Sequence, residues 1–213
     1  CFEPSDLIGG DFVDAAPLPD GRVLLAIADV TGHGLPAALA TLTVHAILRT
    51  TLAAGATPLA AVTTLNLHLH QFLPPGRFVT LAAVALDPRT GILECVNAGH
   101  PGPILVAPDG SHRTLPEGDN LPLGLSTDPL TSHHATLAPG YTLALITDGL
   151  TELPTPEGKL LGSVRLAELI AQAVQGTADV DGACEHLRIA LRSIRGDRPQ
   201  PDDQTHLLAR RRA

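Results

Sequence analysis

Ala28-Asp29-Val30-Thr31-Gly32-His33-Gly34-Leu35-Pro36-Ala37-Ala38-Leu39 joins two kinds of sequence. Val23 to Ile27, just upstream, is an unbroken apolar run that reads as a buried strand, and from Leu35 onward an Ala/Leu-rich run with Pro36 in its first turn reads as a helix. Asp29 therefore sits where a strand runs out. A carboxylate there, followed by a Gly-x-Gly turn and a helix N-terminus, is placed to hold a cation or a phosphate. The bland alternative is that Asp29 only caps the turn, since Asp and Gly are ordinary turn residues.

Three other acidic stretches bear on that choice. Gly9-Gly10-Asp11 precedes the strand, Thr147-Asp148-Gly149 follows the apolar run Tyr141 to Ile146, and Asp202-Asp203 opens another at Thr205 to Ala209. Each sets Asp against a buried strand. Carboxylates held together this way repel one another unless a divalent cation neutralises them. An oxygen-only ligand set, without Cys or clustered His, suits Mg²⁺ or Mn²⁺ rather than zinc.

The ordered series Gly10-Asp11, Asp29-Val30-Thr31-Gly32-His33-Gly34, Asn97-Ala98-Gly99-His100-Pro101, Thr147-Asp148-Gly149-Leu150-Thr151-Glu152 and Asp202-Asp203-Gln204-Thr205 resembles the PPM-type metal-dependent protein phosphatases. Within them it is similar to the bacterial SpoIIE/RsbU branch. The likeness runs through nearly the whole chain, and the joint occurrence of the motifs is far more specific than any one Asp-Gly pair.

That resemblance implies two Mn²⁺ or Mg²⁺ ions held by Asp11, Asp29, the Val30 carbonyl, Asp148 and Asp202, with Asp11, Asp29 and Asp148 serving catalysis through a metal-activated water. Asp203 then stands where many relatives have Asn; the exchange of roles between Asp202 and Asp203 stays open. His33 is either a general acid or a structural residue, and His100 either orients substrate or fixes its loop. Glu152 reads as a cap or a salt link. The resemblance also implies a phosphoserine or phosphothreonine protein substrate, a STAS-type anti-sigma-factor antagonist in a partner-switching pathway. An upstream sensor or receiver module, control through the Leu35 to Ala54 helix and a homodimer are further implications.

The 213 residues suit one domain, 1–213, with a sizeable core. Hydrophobic residues make up 44% but aromatics only 2%, so Leu, Val, Ile and Ala must pack that core. Cys1, Cys95 and Cys184 are too scattered for a disulfide framework or a zinc knuckle, which points to a reducing, cytoplasmic setting. A formal charge of −8 argues against a nucleic-acid surface despite Arg210-Arg211-Arg212. No apolar run reads as a membrane span and no signal peptide is visible, so no direct membrane insertion is expected. The start at Cys1 and the lack of Met suggest a domain excised from a longer regulator.

Helices are expected at Leu35 to Ala54 and Leu59 to Leu73, then at about Ser163 to Val174 and Val180 to Ile194. Strands are expected from Phe2 to Ile8, around Val23 to Asp29, and at Phe78 to Leu86, Ile92 to Val96 and Ile104 to Ala107, joined by the turns Pro19-Asp20-Gly21, Asp87 to Gly91 and Pro108-Asp109-Gly110. Strands covered first by one helical pair and then by another fit an α+β fold, a four-layer α-β-β-α sandwich with two mainly antiparallel sheets. The resemblance implies the same arrangement. His68 and His70, two apart on a helix, cannot share a metal and read as surface residues, as do His133 and His134.

No Cys-x5-Arg loop supports a covalent phosphatase and no Walker A segment supports an NTPase. Arg77 and Arg113 are candidate phosphate contacts, although surface salt bridges explain them as well. Two competing readings are a pseudophosphatase that binds its partner without turnover and an enzyme acting on a small phosphoester. Four Phe and one Tyr leave little for a base-binding pocket.

Overall fold

Alternation along two apolar strands sets the layers. In β3 (Val23–Val30), Leu24, Ala26, Ala28 and Val30 bury toward one side, while Leu25 and Ile27 bury toward the other. Its antiparallel partner β4 (Val79–Leu86) repeats this: Val79, Leu81, Ala83 and Ala85 join the first side, and Ala82, Val84 and Leu86 the second. A sheet with both faces apolar has to be covered on both.

The computed structural model describes residues 1–5, 9–32, 34–116, 118 and 120–212. One sheet runs β2-β3-β4-β5-β8, adding β2 (Phe12–Pro17), β5 (Ile92–Ala98) and β8 (His133–Thr136). The other runs β1-β10-β9-β6-β7, with β1 (Phe2–Glu3), β6 (Ile104–Val106), β7 (His112–Thr114), β9 (Thr142–Ile146) and β10 (Gln204–Arg210). Helices α1 (Leu35–Ala53) and α2 (Pro58–Phe72) cover the first sheet. Helices α4 (Gly162–Gln175) and α5 (Val180–Arg195) cover the second, after the single turn α3 (Asp148–Thr151).

Three cores result, one under each helical pair and one between the sheets, where Leu25, Ile27 and Val84 meet Leu105, Leu143 and Leu145. This is the expected four-layer α-β-β-α sandwich, with every strand pair antiparallel. Aliphatic packing suffices because each fully buried Leu contributes about 1.5–3 kcal/mol. Local chemistry starts and stops the helices. The Thr57 hydroxyl accepts from Ala60 N at 3.2 Å to open α2, and Asp179 accepts from Gly182 N at 2.8 Å to open α5.

The structure differs from the sequence reading in several places. The first strand is only Phe2–Glu3, and residues 6–8 of the expected strand lie outside the described residues. The hairpin run from Phe78 to Ala107 is not one sheet: β5 and β6 belong to different sheets, and Asn97 to Pro101 falls between them. The turn Pro108-Asp109-Gly110 closes a further strand, β7, and Ala107 N bonds Ser111 O at 2.8 Å across it. His133 is half-buried rather than solvated, paired in register with Cys95.

Helix α1 is also long and apolar enough, at mean hydropathy 1.3, to cross a membrane by length and composition, contrary to the expectation of no such run. Its threonines obscure this, since Thr41, Thr43, Thr50 and Thr51 donate to carbonyls four residues back and so hide their polarity. Leu35, Leu39 and Leu42 are exposed beside Phe2 and Gly9, so apolarity here does not alternate cleanly with burial.

Candidate metal centre

The same alternation decides which side chains meet at one end of the sandwich. Phe12 packs under the helices, so Asp11 faces the space between the sheets; Asp29 follows Leu25 and Ile27 onto that face. On the opposing sheet Thr147 continues Leu143 and Leu145, and Thr205 continues the inward positions Leu207 and Ala209. Carboxylates of one sheet thus face hydroxyls of the other. The Asp11 Oδ2 accepts from Thr147 Oγ1 at 2.9 Å and from Thr205 Oγ1 at 2.5 Å, all three side chains being buried.

The two neighbouring acids at the C-terminal end differ in their surroundings. Asp203 is buried, and its Oδ1 accepts from Ser5 N at 2.7 Å and Ser5 Oγ at 3.0 Å. Its Oδ2 accepts from Gly10 N at 2.7 Å and Asp11 N at 3.4 Å. Asp202 is exposed and, among the described residues, accepts only from Asp203 N, at 2.8 Å. Gly149 closes the site: a Cβ there would sit 2.0 Å from Asp203 O and 3.4 Å from Asp202 Cβ, so only glycine lets the Asp148 turn lie against this segment. A Cβ on Gly10 would stand 2.8 Å from Val30 O, which places that carbonyl beside the Asp11 segment.

Burial pushes the Asp11 carboxyl up to about 7, against the two hydroxyl bonds that lower it. Burial, then Asp11, Asp148, Asp202 and Asp203, push Asp29 up to about 8. Asp148 is raised by burial and then by Asp202 and Glu152. No cation is among the principal influences on any of the three. Asp29 thus feels Asp11, Asp148, Asp202 and Asp203, and Asp148 feels Asp202.

Among the described residues, no three His, Cys, Asp or Glu side chains are drawn close enough to enclose an ion. The carboxylates raise one another's pKa without being gathered into a preformed cage among the described residues. An all-oxygen set of carboxylates that raise one another's pKa fits a hard divalent ion.

His33 lies outside the described residues. His100 is buried between Thr80, whose Oγ1 is 2.8 Å from its Nδ1, and its own turn, where His100 N donates to Asn97 Oδ1 and Asn97 Nδ2 donates to His100 O, both at 2.9 Å. Burial pushes its imidazole down to about 4, so it is neutral and holds the loop. Thr80 lies opposite Asp29 in register, which links that loop to the acidic strand. The sequence reading did not single out Thr147 and Thr205; their place immediately before Asp148 and two residues after Asp203 was the available signal.

Residues 19–212 match the family model for Stage II sporulation protein E (SpoIIE). The chain belongs to the SpoIIE family. The SpoIIE match includes Asp29, Asp148 and Asp202, while Asp11 precedes it. The phosphoserine phosphatase RsbP of Bacillus subtilis is 26% identical over 71% of the chain and 38% of its own length. The RsbU and RsbW domains of Rv1364c from Mycobacterium tuberculosis superpose with a TM-score of 0.84 at 32% identity, over 98% of this chain and 58% of that one. The PP2C domain of SiaA from Pseudomonas aeruginosa gives 0.87 at 25% identity, over 99% and 84%. This SpoIIE-family chain is thus a PPM-type phosphatase domain of the SpoIIE/RsbU branch, and it spans little more than a third of the length of RsbP.

Proposed function

We propose that this domain is a Mn²⁺- or Mg²⁺-dependent protein serine/threonine phosphatase that hydrolyses a phosphomonoester. The observation that carries the reading is the facing of Asp11 and Asp29 from one sheet with the Asp148 and Asp202 turns of the other, inside a fold whose relatives include a phosphoserine phosphatase. Asp11, Asp29, the Val30 carbonyl, Asp148 and Asp202 would hold two ions. When bound, such ions acidify a water and screen phosphate charge.

The chain's own residues orient and deprotonate. Thr147 and Thr205 hold the Asp11 carboxylate in one rotamer, and Asp203 holds the Gly10-Asp11 backbone. Burial holds the Asp11 and Asp29 carboxyls up at about 7 and 8, so these residues would release protons on holding a cation. Asp202, which is exposed and accepts from the adjacent Asp203 N alone among the described residues, is the better ligand of its pair, and Asp203, which holds Ser5 and Gly10, the anchor.

The substrate proposed is a phosphorylated STAS-type anti-sigma-factor antagonist, in a cytoplasmic partner-switching pathway, with an upstream regulatory domain acting through α1 and a homodimer as the working state. The relatives' names, a phosphoserine phosphatase and a protein with RsbU and RsbW domains, support that setting. A pseudophosphatase is the second reading, favoured by the absence of three gathered ligands among the described residues.

The test is Mn²⁺-dependent phosphate release from a phosphorylated STAS protein of the same genome, comparing the parent with Asp29→Asn and Asp148→Asn. Turnover that requires metal and disappears in both variants supports the phosphatase. Tight binding without turnover at saturating Mn²⁺ selects the pseudophosphatase.

A further inference from the structure

Among the described residues no cation is a principal influence on the acidic centre, but one guanidinium is fastened to the turn that follows Asp29. Thr31, two residues after Asp29, is clamped to Phe78: Thr31 N and Oγ1 donate to Phe78 O at 3.1 and 3.0 Å, and Phe78 N donates to Thr31 Oγ1 at 3.0 Å. That clamp fixes Arg77, which leaves the Pro74 to Gly76 turn with its amide on Pro74 O at 3.1 Å. Arg77 Nη1 donates to Thr31 O at 2.6 Å.

The guanidinium packs against Gly32 with its Nη1 edge leading: φ there is +99°, and a Cβ would come within 1.8 Å of Nη1 and 2.8 Å of Cζ. Gly10 approaches this turn as well, toward Val30 O and Gly32 O. One short turn therefore carries the Asp11 segment and the Arg77 head group together.

Arg77 forms no ion pair among the described residues. Its single acceptor is a neutral carbonyl, which orients the head group without cancelling its charge. The side chain is exposed, and Nε and Nη2 have no protein acceptor among the described residues. Arg113, the other candidate from the sequence, sits on β7, the edge strand of the other sheet.

We propose that Arg77 binds the phosphate of the incoming phosphoserine or phosphothreonine. This rests on the phosphatase reading above and adds to it the residue that recognises the anion. A chain of net charge −8 with several carboxylates at its site repels a phosphate dianion, and a fixed guanidinium on the turn that follows Asp29 offsets that repulsion. Its planar fork matches two phosphate oxygens, which an ammonium does not.

The experiment uses the full-length protein saturated with Mg²⁺. Inorganic phosphate is titrated calorimetrically into wild type, Arg77→Lys and Arg77→Ala, and kcat and KM are measured on a phosphoserine peptide. Arg77→Ala is expected to weaken phosphate binding and to raise KM about 10- to 100-fold, the range for a hydrogen bond to a charged group. The Lys variant should recover part of it, with Mg²⁺ affinity and Tm as in wild type.

Unchanged phosphate affinity overturns the proposal. So does a loss of Mg²⁺ affinity equal to the loss of phosphate affinity, which would assign Arg77 to holding the turn. If wild type turns over no phosphopeptide, the phosphatase reading fails by itself, and the phosphate titration still decides the role of Arg77.

Discussion

Asp203 accepts the backbone N–H of Gly10 at 2.7 Å, tying the segment that carries Asp11 to the strand that ends the chain. The bond spans 193 positions of sequence and joins the two sheets at the mouth of the acidic centre.

Asp203→Ala should therefore act mainly on stability. It removes the acceptor for Ser5 N, Ser5 Oγ and Gly10 N and leaves the buried Gly10 amide unpaired, at a cost of about 1–3 kcal/mol. Asp202→Ala, at an exposed side chain, should change stability by less than about 0.5 kcal/mol yet lower metal affinity. Urea unfolding and Mn²⁺ calorimetry on both variants separate the two roles; the opposite pattern would reverse the assignment.

Thr147→Val and Thr205→Val each remove a hydroxyl donor to Asp11 with little change of shape. Loss of an outer hydrogen bond to a metal-binding carboxylate is expected to weaken Mn²⁺ binding about 10- to 100-fold. Calorimetry at fixed pH checks this. Affinity equal to that of the parent in both variants would show that the hydroxyls do not orient the ligand.

Metal-free stability should fall as pH rises. Asp11 and Asp29 keep their protons up to about 7 and 8 in the folded state, whereas in the unfolded chain they ionise near 3.8. Between those limits the unfolded state binds fewer protons, so raising the pH favours unfolding until both folded groups have ionised. Tm in chelator is expected to drop from pH 5 to pH 8, and Mn²⁺ should raise it more at pH 8 than at pH 6. A chelated Tm that climbs over that interval would contradict the burial of these carboxyls.

Gly149→Ala should be damaging out of proportion to one methyl group. The new Cβ would meet Asp203 O at 2.0 Å, and the backbone must shift at a cost of about 1–3 kcal/mol. Because the shift moves Asp148 away from Asp202, Mn²⁺ affinity should fall with stability. Thermal unfolding together with metal titration tests whether both losses occur.

Much of this was legible along the chain, for reasons that differ by element. Strands β3 and β4 announce themselves because a doubly covered sheet requires continuous apolar runs, and the boundaries of α2 follow from Thr57 and Pro58 before it and Pro74-Pro75-Gly76 after it. The acidic motifs stood out because Asp at a strand mouth beside Gly is chemically pointed. By contrast, β7 has three exposed residues and no apolar pattern to betray it. The exposed leucines of α1 look in sequence like any core leucine, because hydropathy does not record which face is covered.

Sequence by itself determined the layers, and a period of two puts Leu25, Ile27 and Asp29 on one face of their strand and Leu143, Leu145 and Thr147 on one face of theirs; which face is inward came from the packing. What it could not determine is which inward groups become partners. That Asp203 anchors Gly10, that Thr147 and Thr205 share Asp11, and that β5 and β6 part into separate sheets were decided only by tertiary structure. The physical reason is that hydrogen bonds and mutual repulsion between carboxylates depend on distance in space, and these groups come from opposite ends of the chain.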